Sequence, residues 1–157
     1  MKNIDIIIRE PQNSSEFNKY YNLRWKILRK PLGQEIDLIK DELENKSYHL
    51  AALLDGENII GVGRLHSLDN EKSQIRYMAV LKKYQKLSVC TKLLKGLELR
   101  AEIDNKKYIV LHARGSALNF YINNGYKIVE KSHLLFGKIQ HYLIIKKILY
   151  KNNEQPI

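Results

Sequence analysis

Hydrophobic and polar positions alternate along this chain in runs that read as separate elements. Asn3 to Arg9 is expected to be a first strand, with Asp5 and Arg9 inside its apolar stretch. Those two charges argue against a signal peptide. Glu16 to Arg29 carries Phe17, Tyr21, Trp25 and Leu28 at helical spacing, behind Ser14 or Ser15 as N-cap. Pro31 ends that helix, because the residue before a proline is pushed out of the helical region, and Leu32-Gly33 turns the chain. Glu35 to Glu44 is expected to form a second, short helix. Tyr48 to Leu54 and Asn58 to His66 are apolar strands joined by Asp55-Gly56-Glu57-Asn58, a hairpin signal. Gln74 to Leu81 is a third strand of this meander. Val89 to Asp104 is the most regular helix, with Val89, Leu93, Leu97 and Ala101 on one face. Lys107 to Ala113 has a continuous apolar centre, Tyr108-Ile109-Val110-Leu111, as strands buried on both faces do. Ser116 to Asn123 is a short helix closed by Asn124-Gly125, and Tyr126 to Lys131 and Gly137 to Lys146 are the last strands.

The order β-α-α-β-β-β-α-β-α-β-β is of the α/β class, an α+β mixed sheet. An antiparallel meander is followed by a βαβ unit from Gln74 to Ala113 and by C-terminal strands. The two strands flanking the Val89 helix are expected to lie parallel, with a right-handed crossover. Ligands of open α/β sheets bind outside the carboxyl ends of such strands, here Val80-Leu81 and Ala113-Arg114. Residues 1–150 are expected to form a single domain and residues 151–157 a loose tail.

The 157 residues are 44% hydrophobic and 28% charged, the balance of a folded globular chain. The single cysteine, Cys90, excludes an internal disulfide and a cysteine-built zinc site, and fits a reducing, cytoplasmic setting. No apolar run reaches the ~18 residues of a membrane span. The formal net charge of +10 suits an anionic partner. The lysines are scattered, however, and no zinc-finger, RNP or helix-turn-helix pattern appears. A solvated basic surface and a phosphate-bearing small ligand therefore both fit better than nucleic acid. No histidine spacing matches a helical metal pair, so no metal is expected.

Between the third meander strand and the Val89 helix lies Leu81-Lys82-Lys83-Tyr84-Gln85-Lys86-Leu87-Ser88-Val89-Cys90-Thr91. Free backbone amides and a helix dipole point at whatever occupies such a position, and Lys83, Lys86 and Lys92 add positive charge. An ordinary turn capped by Ser88 reads equally well from these residues alone.

Five stretches in order carry a resemblance: Arg76-Tyr77-Met78-Ala79-Val80, Tyr84-Gln85, the Leu-Leu helix, Leu111-His112-Ala113-Arg114, and Phe120-Tyr121-Ile122-Asn123-Asn124-Gly125-Tyr126. Together they resemble the GNAT acyltransferases. Leu23 to Gly33 and Gly137-Lys138-Ile139-Gln140-His141 are similar to the ElaA-like branch of that family.

The resemblance implies the GNAT acyl-CoA N-acyltransferase fold, and acetyl transfer from acetyl-CoA to a primary amine by direct attack. It implies that the pantetheine pairs with the backbone of Met78, Ala79 and Val80, with the Ala79 N–H as oxyanion donor. The family's pyrophosphate loop, Gln/Arg-x-x-Gly-x-Gly/Ala, falls on Gln85, Lys86, Leu87, Ser88, Val89 and Cys90, with Thr91 next. Gln85 matches; Ser88 and Cys90 stand where the family has glycine or a residue no larger than alanine. Glycine there lets amides approach a diphosphate closely, so a degenerate module with weak or no CoA binding, acting as an interaction protein, is the second reading.

Tyr121 matches the family's general acid for the CoA thiolate, and Asn119 is placed to contact the cofactor. A base near neutrality is useful for the attacking amine, and histidine is the default. His112 is read as a cofactor contact, a base or an interior histidine. His141 is read as a substrate-side or a packed histidine. His66, near Arg64, is a candidate for the acceptor pocket. Arg76 is read as an acceptor contact or a structural ion pair. His49 and His133 have no supporting context. Cys90, at a helix start, is a candidate for a lowered thiol pKa or a half-buried structural thiol. Acetyl-CoA and an amine acceptor are the expected partners of a monomer or homodimer.

Overall fold

The computed structural model describes residues 4–148; the expected tail and the first three residues lie outside them. Seven strands hydrogen-bond in the order β1-β2-β3-β4-β5-β7-β6. They are β1 (Ile6–Arg9), β2 (Tyr48–Leu54), β3 (Asn58–Ser67), β4 (Lys72–Val80), β5 (Tyr108–Arg114), β6 (Lys127–Leu135) and β7 (Ile139–Lys147), and the helices are α1 (Ser14–Leu28), α2 (Val89–Ile103) and α3 (Leu118–Asn123). The meander is antiparallel at β1/β2 and β2/β3. β4 and β5 pair in parallel, Lys72–Gln74 against Tyr108–Val110, as the crossover requires. The sheet and its flanking helices are the mixed α/β arrangement expected.

The chain divides into two compact units, residues 4–66 with 77–99, and residues 67–76 with 100–148. In the first unit Tyr20 and Leu23 of α1 pack on Ala51, Leu53, Ile59, Val62 and Ala79. The stripe that α1 buries fully is thus Tyr20, Leu23 and Arg24, and the expected Phe17, Tyr21 and Leu28 pack half-buried against the same core. The helix turns that way because the polar ends of Tyr20 and Arg24 find partners inside. The cap is Asn13, whose Oδ1 accepts from Glu16 N at 2.9 Å, and neither Ser14 nor Ser15. On α2, Val89, Leu93, Leu97 and Ala101 are all fully buried, the valine and the two leucines worth about 1.5–3 kcal/mol each. Gly61 and Gly63 let α2 approach β3. A Cβ at Gly61 would stand 2.9 Å from Leu93 Cδ1, and one at Gly63 would stand 2.9 Å from Met78 Sδ.

The expected helix over Glu35 to Glu44 does not form. Two isolated 3-10 turns, Ile36–Leu38 and Glu44–Lys46, take its place. The carboxylates of Asp41 and Glu44 bond nearby backbone amides, Leu43 N to Asp41 Oδ1 at 2.9 Å and Asp41 N to Glu44 Oε1 at 3.3 Å. Such local bonds compete directly with a helical ladder. The same carboxylates meet two arginines. Arg24 and Arg64 are both 0% exposed. Glu44 Oε1 accepts from Arg24 Nη1 and from Arg64 Nη1, each at 2.8 Å, and Asp41 Oδ1 accepts from Arg64 Nη1 at 2.7 Å.

The network extends to rings. Tyr77, on β4, has φ of +57°, a left-handed conformation that costs a non-glycine residue roughly 1–2 kcal/mol. Its ring lies 4.1 Å from the Arg24 guanidinium carbon and 4.9 Å from that of Arg64, and its hydroxyl donates to Asp41 Oδ2 at 3.4 Å. Both guanidinium Nε atoms are buried without a hydrogen-bond partner. Cation–π attraction to the Tyr77 ring is what the two cations have there instead.

Burial pushes the Glu44 carboxyl up. The Arg24 hydrogen bond, the charges of Arg24 and Arg64 and the Asp41 amide outweigh it and hold the carboxyl below its ordinary 4.5. A depressed carboxyl contributes stability above its unfolded pKa and loses it as pH falls through the folded one. Removing one partner of a buried ion network costs about 3–5 kcal/mol. Glu44→Ala is expected to lose that much in urea unfolding at pH 7. Its gap to the unsubstituted protein should narrow as pH falls below 4.5; a gap independent of pH would show that Glu44 is not held ionised by its arginines.

Candidate functional site

The first unit supplies a strand end, a tight turn and a helix start. β4 closes with Met78, Ala79 and Val80, and Leu81 N donates to Ile60 O at 2.9 Å. A 3-10 turn over Lys82–Leu87 follows. Gln85 folds back, its Nε2 donating to Val80 O at 3.1 Å, so this side chain ties the turn to the strand end. Lys82, Lys83, Lys86 and Ser88 are exposed, and Leu87 and Thr91 are half-buried.

Ser88 sits at φ 61° and ψ 23°, the left-handed region that glycine adopts freely. Its carbonyl accepts from Lys92 N at 3.0 Å, and α2 starts at the next residue. The first amides of a helix have no partners within it. A positively polarised group of N–H donors therefore follows Ser88 among lysines. Val89 is fully buried. Cys90 is half-buried and burial pushes its thiol up, opposite to the lowered value a helix start offered. Cys90 is a neutral thiol at pH 7.

His66 and His49 also belong to this unit, and both are buried. His66 Nδ1 accepts from Arg64 Nη2 at 3.2 Å, which ties it into the arginine network. His49 Nε2 donates to Glu44 O at 2.8 Å and its Nδ1 faces the Tyr20 hydroxyl at 2.9 Å. Burial holds His49 below its ordinary value, so it is neutral, and its Nδ1 shares the single Tyr20 hydroxyl proton with Gly63 O, 3.1 Å from that hydroxyl. A groove of about 680 Å³ between α1 and the Ile36–Leu38 turn is lined by Lys19, Tyr21, Asp37 and Lys40, among others, and by none of the expected site residues.

The second unit gathers a different set. Arg114 and His141 face each other across β5/β7, and His112 faces Leu143. His133 stacks on His141 with ring centroids 4.3 Å apart and planes 18° apart, and lies 5.3 Å from His112. His112 and His133 are exposed and His141 is 6% exposed. Burial, then the neighbouring His133 and Arg76, hold His112 below its ordinary value. Burial does the same for His141, and its bond to Ile139 O only partly offsets His133, Arg114 and His112. His141 Nδ1 donates to Ile139 O at 3.1 Å, which leaves Nε2 with the lone pair when the ring is neutral.

Tyr121 is 4% exposed on α3, edge-on to Phe120 at 5.0 Å and Tyr126 at 5.6 Å. Asn119, two residues earlier, is exposed. Among the described residues no group of three or more His, Cys, Asp or Glu is arranged to hold a metal ion. No described helix is long and apolar enough to cross a membrane. Sequence reasoning gave His133 no context. Its place depends on an irregularity in the β6/β7 register between Lys131 and Leu134, and the alternation of the chain does not mark it.

Comparison with known proteins bears on both units. A profile for the acetyltransferase (GNAT) domain matches residues 29–142. The uncharacterised N-acetyltransferase YjcF of Bacillus subtilis is 31% identical over 116 residues, which cover 74% of this chain and 79% of that protein. A GNAT-family acetyltransferase of Staphylococcus aureus superposes with a TM-score of 0.74 at 24% identity, covering 92% of this chain and all of the other. One from Elizabethkingia anophelis, solved with acetyl-CoA bound, gives 0.67 at 20%, covering 94% and 99%. The two structures establish the shared fold. The profile, spanning most of the chain, and the curated relative establish more: the chain belongs to the GNAT family of acetyltransferases.

Proposed function

We propose that this protein is an acetyl-CoA-dependent N-acetyltransferase acting on a primary amine. The observation that carries the reading is Ser88. The residue that departs from the family's glycine adopts the glycine conformation, φ 61°. A left-handed Ser88 with Gln85 anchoring the turn to β4 supports a turn whose amides meet a diphosphate. The serine hydroxyl is exposed and adds a phosphate donor. Lys86, Leu87, Val89, Cys90 and Thr91 complete the segment proposed to hold the diphosphate, and Cys90 takes part as an uncharged side chain.

The remaining roles follow from chemistry. Met78, Ala79 and Val80 pair with the pantetheine, and Asn119 adds a polar contact to it. The Ala79 N–H stabilises the oxyanion that forms when the amine attacks the thioester carbonyl. Tyr121 gives its proton to the departing thiolate; a phenol of pKa about 10 and a thiol of about 8.5 are close enough for efficient transfer. The amine must shed a proton, and His112 and His141 are neutral at pH 7 and able to take it. Arg76 stands on the acceptor side with them. His66 is held by Arg64 and takes no part in the proposed reaction.

Three measurements test this. Acetyl-CoA at about 100 times its dissociation constant adds about 2.7 kcal/mol, so the melting temperature is expected to rise by roughly 5–10 °C; no rise at millimolar concentration would remove the cofactor. Tyr121→Phe keeps the packing on Phe120 and Tyr126 and removes the proton. It is expected to lower kcat by about 10²-fold or more with acetyl-CoA affinity unchanged, and equal turnover would dismiss Tyr121 as the acid. Ser88→Gly keeps the left-handed turn that Ser88 already holds and removes the hydroxyl, so it is expected to stabilise the fold by roughly 1 kcal/mol and to weaken acetyl-CoA binding by a few-fold. Unchanged or tighter binding would remove the Ser88 hydroxyl as a phosphate donor.

A further inference from the structure

Three strands of the second unit bring three imidazoles to one face. The register places Arg114 opposite His141 and His112 opposite Leu143, and the irregularity in β6 turns His133 onto His141 at 4.3 Å. Gln140 holds that irregularity, its Nε2 donating to Ser132 O at 3.1 Å. Gln74 lies opposite Val110, so alternation along β4 puts Arg76 on the same face as His112. The other charged groups that the register gives this face are Lys72 on β4 and Lys147 on β7, both opposite Tyr108, and on β6 Lys127 opposite Ile145 and Glu130 opposite Leu143. Five fixed cations, Lys72, Arg76, Arg114, Lys127 and Lys147, thus share the face with one carboxylate.

We propose that this face recognises an anionic group, a carboxylate or a phosphate, on the acceptor amine. Arg76 and Arg114 supply charge and the exposed imidazoles of His112 and His133 supply N–H donors. The assignment names the acceptor class of the transfer proposed above and rests on that reading.

Two physical points support it. Burial is the first cause that holds His112 and His141 below their ordinary value, and the neighbouring Arg76 and Arg114 and the other imidazoles push the same way, as positive potential does. Two stacked rings with centroids 4.3 Å apart repel when both are protonated. An oxyanion set against them removes that repulsion, so anion binding takes up a proton and tightens as pH falls. The nearly parallel planes of His133 and His141, 18° apart, argue against a shared metal ion, which would need ring nitrogens that converge.

Histidine ring resonances followed by NMR through a pH titration test the proposal, in chloride, inorganic phosphate or acetate at equal ionic strength. Phosphate or acetate is expected to raise the midpoints of His112 and His141 by about half a unit or more while leaving His49 unmoved, and Arg114→Gln is expected to shrink the His141 shift. The anion with the larger effect identifies phosphate or carboxylate as the group. Midpoints of His112 and His141 that are the same in all three salts would overturn the site. The acetyl-CoA melt reports separately on the transfer reaction: a melt that rises while these midpoints stay fixed keeps the acetyltransferase and discards the anionic acceptor.

Discussion

The first unit depends on one carboxylate shared by two buried guanidinium groups. Glu44 Oε1 accepts from Arg24 and Arg64 at 2.8 Å each, and without it two full charges would lie in the interior with Asp41 alone to answer them. The consequences spread outward from that arrangement. Arg24 has to face inward, which sets the rotation of α1. Glu44 and Asp41 have to bend back toward the sheet, which is incompatible with a helix over residues 35–44. The arginines then have ring faces to satisfy, and Tyr77 is held between them in a conformation it would not choose. Tyr77 immediately precedes Met78, Ala79 and Val80, the backbone proposed to pair with pantetheine. A buried ion network is poor evidence for net stability. Here its consequence is geometric: it fixes where a strained residue sits in β4.

In the proposed reading, the turn after β4 departs from the family's motif at Ser88 and takes up a left-handed backbone there. A glycine pattern in a phosphate loop is a statement about backbone conformation and clearance, and side-chain identity is only its usual proxy. Ser88 meets the conformational part at some cost in strain, and a hydroxyl is small enough to leave the amides reachable. Cys90 fails the clearance part by a sulfur atom, yet it is half-buried beside the fully buried Val89. Its bulk is therefore partly absorbed by the protein interior.

What was legible in the sequence divides along physical lines. β2 is found residue for residue, and the apolar face of α2 as well, because burial imposes periodicity and periodicity is visible. α1 is found in extent, and Phe17, Tyr21 and Leu28 do pack against the core, but the centre of its buried face is missed, because a buried arginine and a buried tyrosine look like surface residues until their partners are known. The helix over Glu35 to Glu44 fails for the same reason, since its acidic residues act on arginines far along the chain. β6 runs four residues further than expected, to Leu135. It is exposed along most of its length and interrupted twice in register, so neither burial nor alternation marks its end. His133 is lost within that irregular stretch. The candidate site was legible as motifs and illegible as a cluster.

The imidazole face also bears on how an amine with a pKa near 10 is made reactive near neutrality. In the proposed reaction, His112 beside Arg76 and His141 beside Arg114 are weakened as bases, first by burial and then by the same charges that would attract an anion. An anionic acceptor reverses this at the moment of binding. Its charge cancels part of the positive potential, the histidine midpoints move back toward the operating pH, and the base becomes matched to its task only when the correct substrate is present. Anion recognition and base strength are then one electrostatic device. An acceptor without the anion would lose twice, in binding and in proton transfer, and discrimination between acceptors would exceed what a single ion pair at a solvent-exposed face provides.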